Sequence, residues 1–483
     1  MAITRRQFLA RSGLLTAGSF FGPGLANPFL RQALADTIGD RYLVVIFLDG
    51  GNDGLNTVTP IANGNNLGTY GFSGNLRTAY HARRTSIRLT DTNLLPMGND
   101  AGTNTPIGLH PGLQGLYDIH NSSSGNVAVI QNCGYPNPNL SHDESRIYWE
   151  TADPLGVGDG TGWIGRHLAA NYGALDLPAL AVNRGGVPGE FKQSETGVLA
   201  VGLLRRFTFP YHSGPSTPTS ERTARNAAFT AMYNAAVASG QAAAEAVGQV
   251  GKSVLAATQI YPTLHTDYLA DRLPFSLSYQ NNTDPNGDGR NSMSTDLREV
   301  AKTIYGVINN KVNSRFFEIR NGGYDTHSNQ GGDLGAHFSL HDELGGALET
   351  FWADITDMGV NDKVAVLVWS EFSRRIEQND SGTDHGSQGP MFLIGGKVNG
   401  GVKGNHPDIG EVNATLQNGN TRYLQGPANT PFRTTDIRDV YGTLLKHWLN
   451  VPHGTVASIL PADTGSATTR WTAPNFDLPL FLP

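Results

Sequence analysis

Cysteine is almost absent from this sequence, because Cys133 is the only one in 483 residues. An intramolecular disulfide is therefore excluded, even in an oxidising compartment. Long apolar runs are also missing, since no stretch after residue 35 reaches the roughly 18 apolar residues of a membrane span. Runs of lysine and arginine are absent beyond the N-terminus, and the net charge is −7. We therefore expect no nucleic-acid partner.

The N-terminus has the features of an export signal. Arg5 and Arg6 form the pair typical of a twin-arginine signal, and a mildly apolar segment follows at residues 14–25. Residues 33–35 read Ala-Leu-Ala, a typical cleavage site. The sequence therefore predicts a signal peptide at residues 1–35, recognised by the twin-arginine translocon. We expect residues 36–483 to form a single soluble domain, periplasmic or extracellular, with no permanent membrane span.

The strongest fold signal lies in residues 41–60, RYLVVIFLDGGNDGLNTVTP. Six apolar residues, Leu43–Leu48, predict a strand buried on both faces, which is typical of a parallel sheet. Asp49 and Asp53 follow this strand among three glycines, which allow a tight turn. Ligands of open α/β sheets bind beyond the carboxyl ends of strands. These carboxylates are therefore candidates for holding a metal or a polar substrate, and a turn without chemistry is the alternative.

Further strands and helices alternate along the chain, which predicts an α/β fold with a mostly parallel sheet. Strands are predicted at residues 126–131, 177–182, 314–319, 363–370 and 391–394. Helices are predicted at residues 111–120, 220–258 (as one helix or two), 295–309, 333–358 and 435–449. The first strand, first helix and second strand predict a parallel pair with a right-handed crossover. Residues 61–105 are predicted to be a long loop, and residues 184–295 an insertion or helical cap.

Carboxylates and imidazoles accompany the predicted strands. They are Asp49 and Asp53; Asp143 and His142, beside Ser141; Asp325 and His327; Glu371, beside Ser370 and Arg374; and Asp384 and His385. Because the ends of parallel strands meet at one rim of a sheet, we expect these side chains to share a site. Mixed aspartate and histidine sets suit zinc or manganese, whereas oxygen-only sets suit calcium or magnesium. The sequence therefore predicts a divalent metal: zinc, manganese or calcium.

A second, weaker metal signal lies in residues 284–295, DPNGDGRNSMST. Asp284, Asn286 and Asp288 stand at alternate positions before Gly289, as in an EF-hand calcium loop. Thr295 occupies the twelfth position, where such loops have glutamate. We therefore interpret this segment as an ordinary polar loop, with calcium binding as the alternative.

Several longer motifs extend over nearly the whole mature chain: FLDGGNDGLNTVTP, SHDESRIYWET, GTGWIGRHL, GGYDTHSNQ, VLVWSEFSRR, GTDHGSQGPMFLIGGKV and TTDIRDVYGTLLKHWL. Together with the twin-arginine start, they resemble the exported bacterial family called domain of unknown function 1501. That family belongs to the alkaline phosphatase and sulfatase superfamily. The resemblance therefore implies an alkaline phosphatase-like fold, a mostly parallel sheet sandwiched by helices, here with a helical insertion. The family has no settled reaction, so the resemblance implies more about fold than about function.

The two-metal pattern of the superfamily also implies roles for particular residues. An aspartate after the first strand ligates one metal, and Asp49 matches it, with Asp53 in reserve. A serine or threonine nucleophile opens a helix after the second strand, where Ser141 is the best match. The later metal ligands are matched by Asp325 with His327, by Glu371 and by His385.

Two positions depart from that pattern. Phe372 stands where the superfamily has a histidine ligand, so the chain binds a single metal or none unless His142 or Asp384 compensates. Sulfatases of the superfamily convert a cysteine in a C-x-P-x-R context to formylglycine. Cys133 is followed by Gly-Tyr-Pro-Asn, which lacks that context, so we reject the formylglycine route.

Two functions remain open at this point. The first is a metal-dependent hydrolase of small-molecule or polymer-borne phosphate or sulfate esters. In it Ser141 or a metal-activated water attacks, and Arg374 or Arg146 neutralises the transferring group. The second is an exported binding or assembly protein that retains the fold without turnover. For Ser141 the alternative to a nucleophile is a helix N-cap.

Overall fold

The computed structural model of the chain describes residues 40–61, 76–100, 104–123, 125–136, 138–153, 159–172, 177–182, 185–193, 197–208, 219–281, 292–407, 409, 435–460 and 474–482. The predicted signal peptide and residues 284–291 of the EF-hand-like segment lie outside these ranges. Among the described residues, no helix combines the length and the apolar character needed to cross a membrane.

Twelve strands are formed by the described residues: β1 Tyr42–Asp49, β2 Val58–Pro60, β3 Leu95–Asn99, β4 Pro106–Leu109, β5 Asn126–Gly134, β6 Ala179–Val182, β7 Val198–Val201, β8 Phe316–Gly322, β9 Val364–Trp369, β10 Gly389–Gly395, β11 Gly401–Lys403 and β12 Thr435–Asp436. Nine of them form the central sheet, in the order β11-β5-β10-β9-β1-β8-β6-β7, with β12 beside β5. Strand β10 runs antiparallel to β5 and β9, and the other pairs of this sheet are parallel. The predicted mostly parallel sheet is confirmed.

The main helices are α1 Leu76–Arg83, α2 Gln114–Asn121, α3 His142–Thr151, α4 Trp163–Asn171, α5 Thr219–Val237, α6 Ala242–Asp271, α7 Leu273–Asn281, α8 Ser292–Ile308, α9 Ala336–Asp357, α10 Ile437–Thr443 and α11 His453–Ile459. Alternate side chains of β1 pack into two different apolar layers. Val44 and Ile46 lie in a layer with Leu344 of α9, while Val45 lies in the opposite layer with Leu168 of α4. Helices therefore cover both faces of the sheet, which explains why β1 is apolar throughout.

The pairing of β1 differs from the sequence prediction. Strand β1 pairs with β8 on one side and β9 on the other. Strand β5 lies on the same sheet but is separated from β1 by β9 and β10. The predicted neighbouring pair of the first two strands was therefore wrong. Strands β9 and β10 come more than 200 residues after β5 and still insert between the two, which no local pattern reveals.

Two segments contain more regular structure than their sequences indicate. The predicted loop at 61–105 includes helix α1 and strand β3, so that prediction was wrong. Helix α1 buries Arg77 and Tyr80. The helix has few apolar residues, so its sequence does not show the pattern of a buried helix. The segment 184–295 contributes β7 to the edge of the main sheet, and Tyr261 and Leu264 of its helix α6 lie in the core.

Helix boundaries follow local signals where these exist. The predicted helical stretch at 220–258 is two helices, α5 and α6, and between them Gly240 adopts a positive φ of 67°. At the start of helix α10, the Asp436 side chain accepts a hydrogen bond from the backbone N–H of Arg438, at 3.0 Å. Asp436 is therefore the N-cap of this helix.

Candidate metal centre

Five loops meet at one rim of the central sheet. Strands β1, β8 and β9 are parallel neighbours, so residues 50–54, 323–330 and 370–375 leave the sheet on the same side. Strand β10 is antiparallel to them, so the loop before it, residues 382–388, reaches the same rim. Residues 135–136 and 138–141, after β5, lie at this rim too. The topology therefore brings together the polar segments that the sequence places at strand ends.

Four side chains from two of these loops and helix α3 form what we call the strand-end cluster: His142, Asp325, His327 and His385. Oδ1 of Asp325 lies 3.2 Å from Nε2 of His327 and 3.2 Å from Nε2 of His385. The same oxygen lies 3.6 Å from Nε2 of His142, and the Nε2 atoms of His327 and His385 are 2.9 Å apart. The side chains are partly exposed, so the cluster is open to solvent.

The other ring nitrogen of each histidine faces an acceptor. Nδ1 of His142 donates to Oε1 of Glu371 at 2.7 Å, and Nδ1 of His385 donates to the carbonyl oxygen of Leu140 at 2.8 Å. Nδ1 of His327 lies 3.4 Å from Oδ1 of Asp384. These hydrogen bonds require the proton of a neutral ring to be on Nδ1. Nε2 of a neutral His142 or His385 ring therefore carries only a lone pair. This is the usual outer arrangement around metal-ligating histidines.

Three side chains of the strand-end cluster, His142, Asp325 and His385, have a spacing that fits a tetrahedral cation. Ligands about 2.0–2.1 Å from a zinc ion in that geometry would stand about 3.3–3.4 Å from one another. Oδ1 of Asp325 lies 3.2 Å from Nε2 of His385 and 3.6 Å from Nε2 of His142, close to this value, and the ligand atoms of these three residues all lie within 4.8 Å of one another. Nε2 of His142 is buried without a hydrogen-bond partner, and the two Nε2 atoms at 2.9 Å need a proton or a cation between them. The residues present therefore fit one divalent ion.

Charges around the cluster are arranged in opposite pairs. Hydrogen bonding to Glu371 raises the pKa of His142. Burial lowers the pKa of His385, so that ring is neutral at neutral pH. Burial opposes ionisation of Asp325, but the Arg374 guanidinium holds the pKa of Asp325 below its usual value. Asp325 is thus ionised and His385 neutral, the protonation states that metal binding requires of these two ligands.

Arg374 is fully buried behind Asp325. Its guanidinium donates to Oδ1 of Asp325 at 2.7 Å and to backbone carbonyl oxygens of four residues: Gly50, Gly51, Tyr324 and Thr383. These carbonyls belong to three different loops of the rim. Arg374 therefore joins the loops and carries no face toward solvent.

Glu371 and Asp384, both predicted ligands, lie outside the ring of ligand atoms. The Glu371 carboxylate is fully buried and accepts hydrogen bonds from the Gly50 backbone N–H at 2.9 Å and the Ser370 hydroxyl at 3.0 Å, besides the one from His142. The Asp384 carboxylate contacts His327 and the side-chain amide of Asn379. Their contacts place both carboxylates where they orient histidines.

Asp49 and Asp53 are not brought into the cluster. The Asp49 carboxylate forms an ion pair with Arg320 on the neighbouring strand β8. Asp53 is fully buried, and its carboxylate is held by both terminal nitrogens of Arg84 and by Gln330. Each carboxylate already has a cationic partner that lies more than 30 residues away in the sequence.

Phe372 takes part in the site as an aromatic wall. Its ring centroid lies 4.8 Å from the ring of His142 and 4.8 Å from that of His385. The two imidazole rings themselves are 4.3 Å apart. The side chain that cannot ligate a metal therefore packs against two that can, and it limits their rotation.

Ser141 occupies the N-cap position of α3, directly before His142. Its side chain is exposed and makes no capping hydrogen bond, while Asp143 and Glu144 stand in the first turn. Arg146 pairs with Asp143 at 3.3 Å and Glu150 at 3.7 Å on its own helix. The Ser141 hydroxyl is thus unengaged at the positive end of a helix, whereas Arg146 is directed along the helix surface.

Several residues of the site were missed by sequence reasoning. They are the Leu140 carbonyl, Arg84, Thr326, Gln330 and Thr383. One signal was available at Gly50, which adopts a positive φ of 121° and on which a Cβ would lie 2.4 Å from the Asp325 backbone nitrogen. The glycines after β1 therefore mark a close approach of two loops.

Comparisons with known proteins agree with the family resemblance. The family model described as "Protein of unknown function (DUF1501)" matches residues 40–420. No curated protein matches the sequence. Among solved structures, the crystal structure of the lipoteichoic acid synthase LtaP from Listeria monocytogenes is similar at a TM-score of 0.26 and 9% identity, over 84% of this chain and 80% of that one. A likeness at this level supports no conclusion about activity.

Proposed function

Since the chain belongs to the DUF1501 family, whose reaction is not known, we propose from its geometry that it is a metal-dependent hydrolase of phosphate or sulfate esters. One observation carries the proposal. His142 and His385, each held at Nδ1 by a hydrogen-bond acceptor, direct Nε2 to the same carboxylate oxygen of Asp325. Asp325 is the third ligand, and a three-ligand set of this kind suits zinc or manganese and leaves a coordination position open for water or substrate, with His327 beside it.

The protein's own residues divide the work. The strand-end cluster would hold the cation, while Glu371 and Asp384 orient imidazoles and Arg374 fixes Asp325. A bound divalent cation would supply Lewis-acid activation of the ester and of the attacking oxygen. Phe372 and the ion pair between Asp49 and Arg320 leave ligands for one ion, not two.

Ser141 is the proposed nucleophile. Its exposed hydroxyl lies at the N-terminus of α3, next to the ligand His142, where backbone N–H groups favour an anionic group. The hydroxyl oxygen would bond to phosphorus or sulfur and lose its proton, while the bond from that atom to the ester oxygen breaks and the ester oxygen leaves with a proton. Water would then hydrolyse the serine ester. The alkaline phosphatase-like fold and export by the twin-arginine route belong to the same proposal.

Metal analysis with an ester screen tests the proposal. Purified mature protein should hold close to one zinc or manganese ion per chain and hydrolyse at least one of a panel of phosphate monoesters, phosphate diesters and aryl sulfates. The double variant His142→Ala/His385→Ala should lose both the bound metal and the ester hydrolysis. Asp49→Asn, at a carboxylate outside the cluster, is the matched control and should keep them. Metal-free, folded wild-type protein would contradict the proposal.

The second candidate function is an exported binding or assembly protein. Two observations favour it: Phe372 packs on two imidazoles and restricts the space around the cation, and Arg374 is bonded to Asp325 and buried, so it is not available to a transferring group. Stoichiometric metal without turnover of any ester in the panel would support this function instead.

A further inference from the structure

We propose that Gln330 is a positioning residue that sets the distance between the two loops that supply Asp325, His327 and His385; this rests on the proposed metal centre. Gln330 is fully buried and contacts none of the ligand atoms. Its side-chain amide instead connects both loops to a buried ion pair. Together with Asp53, Arg84, Thr326 and Thr383, it forms what we call the Gln330 clamp.

The oxygen of the amide receives one hydroxyl from each ligand loop. Thr326, which lies between Asp325 and His327, donates to Oε1 of Gln330 at 3.0 Å. Thr383, which precedes Asp384 and His385, donates to the same oxygen at 2.8 Å. A single oxygen atom therefore fixes the separation of the two threonines that flank the ligands.

The nitrogen of the amide is anchored on the opposite side. Nε2 of Gln330 donates to Oδ2 of Asp53 at 2.6 Å, and Asp53 forms a two-nitrogen ion pair with Arg84. Arg84 also donates to the backbone carbonyls of Arg375 and Ile376, just beyond Arg374. Since a carboxylate only accepts, the amide has one possible orientation, and its oxygen must face the threonines.

Backbone contacts between the loops leave little room for another arrangement. The Thr383 N–H donates to the Thr326 carbonyl at 3.2 Å, and a Cβ on Gly382 would lie 2.3 Å from that same carbonyl oxygen. The backbones of the two loops are thus in contact at this point. The Gln330 amide sets the distance between the loops on either side of that contact. Metal ligands need placement to within about 0.5 Å, so loss of the clamp should lower metal affinity without removing a ligand.

The test compares isosteric variants within the clamp. Thr326→Val and Thr383→Val each remove one hydroxyl, and Gln330→Glu places a second carboxylate against Asp53. Zinc affinity is measured by competition with a chromophoric chelator, and the coordination geometry by the visible spectrum of the cobalt-loaded protein. We expect zinc affinity to fall about 10–100-fold in each variant and the cobalt bands to shift.

Asp354→Asn is the control for a change in buried hydrogen bonding far from the site. Asp354 accepts hydrogen bonds from Tyr268 at 2.5 Å and Arg272 at 2.7 Å, and it lies about 25 Å along helix α9 from His337, near the loops. It should lower the free energy of unfolding in urea while leaving zinc affinity and the cobalt spectrum unchanged. If Gln330→Glu does not fold, the zinc affinities and cobalt spectra of the two valine variants still test the role of the clamp.

The outcomes separate the two proposals. Wild-type protein that binds no zinc would contradict the metal centre itself. Wild-type protein that binds zinc, with valine variants of equal affinity and identical cobalt spectra, would overturn the clamp alone. Equal losses of affinity in Asp354→Asn and the clamp variants would also overturn it, because general destabilisation would then explain them.

Discussion

The buried carboxylate of Glu371 accepts a hydrogen bond from Nδ1 of His142 at 2.7 Å, across 229 residues of sequence. The same oxygen accepts the N–H of Gly50 at 2.9 Å, so Glu371 is tied to the loop after β1. The contact fixes both the orientation of the imidazole and the ring nitrogen that carries the proton. A residue that resembles a metal ligand in the sequence therefore acts on the ligand beside it.

The first prediction concerns this contact. Glu371→Gln keeps the shape of the side chain but removes its charge, so the His142 ring becomes less basic and a weaker ligand. Zinc affinity, measured by chelator competition, should fall about 10–100-fold. Asp49→Asn should bind zinc as the wild type does, because Asp49 pairs with Arg320. An unchanged affinity for Glu371→Gln would show that the hydrogen bond does not tune the site.

The second prediction separates the two roles of Ser141. Its side chain makes no capping hydrogen bond, so Ser141→Ala should change the free energy of unfolding by less than about 0.5 kcal/mol, below the roughly 1 kcal/mol of a typical cap. If Ser141 is the nucleophile, the same variant should lose ester hydrolysis by about a thousandfold or more. Full activity in Ser141→Ala, on a substrate that His385→Ala does not hydrolyse, would identify water as the attacking group.

The third prediction concerns Arg374, whose guanidinium bonds to Asp325 and to four backbone carbonyls. Lysine cannot reproduce this planar fork, so Arg374→Lys should lower the free energy of unfolding by about 3–5 kcal/mol. Urea denaturation measures the loss. Arg225→Lys, at a partly exposed ion pair with Glu221 on α5, should cost less than about 1 kcal/mol. Similar losses in both variants would contradict the role of Arg374.

The fourth prediction is a pH dependence of stability from buried histidines near the rim. Burial lowers the pKa of His337 to about 4, and it also lowers the pKa of His110 and of His341. Below about pH 6.5 the unfolded chain binds protons at these residues and the folded chain does not. Stability should therefore decrease as the pH falls from about 6.5 towards 4, by up to about 1.4 kcal/mol per pH unit for each histidine.

His337→Gln tests this assignment. Urea denaturation at several pH values should show a smaller slope in that variant than in the wild type. His447→Gln, at a partly exposed ring paired with Asp477, is the control. A slope that His337→Gln leaves unchanged would assign the pH dependence to other groups.

The fifth prediction concerns export. Replacement of both Arg5 and Arg6 by lysine should leave the full-length precursor in the cytoplasm, since the translocon recognises the arginine pair. Immunoblotting of cell fractions measures this, and N-terminal sequencing of the wild type should place the mature start near Asp36. Normal export of the double variant would contradict the signal assignment.

Local patterns in the sequence were sufficient for the inner strands of the central sheet and for its longest helices. The apolar run Leu43–Leu48 predicts β1, and the pattern at residues 435–449 predicts the helix that begins with α10, because burial on two faces and helical periodicity each leave a short-range pattern. The same patterns could not predict that β9 and β10 stand between β1 and β5. Strand order is decided by packing between segments hundreds of residues apart.

For the candidate site too, some features follow from the sequence and others only from the tertiary structure. From the sequence alone, Asp325, His327 and His385 could be assigned to one rim, because parallel strands end on the same side of a sheet. Only the tertiary structure decided which carboxylates face the ligand atoms. Arg320 and Arg84 pair with Asp49 and Asp53, and a buried carboxylate takes the partner that compensates its lost hydration. Those partners come from distant segments of the sequence. The tertiary structure therefore determines which charges pair, and with that which carboxylates remain to bind a metal.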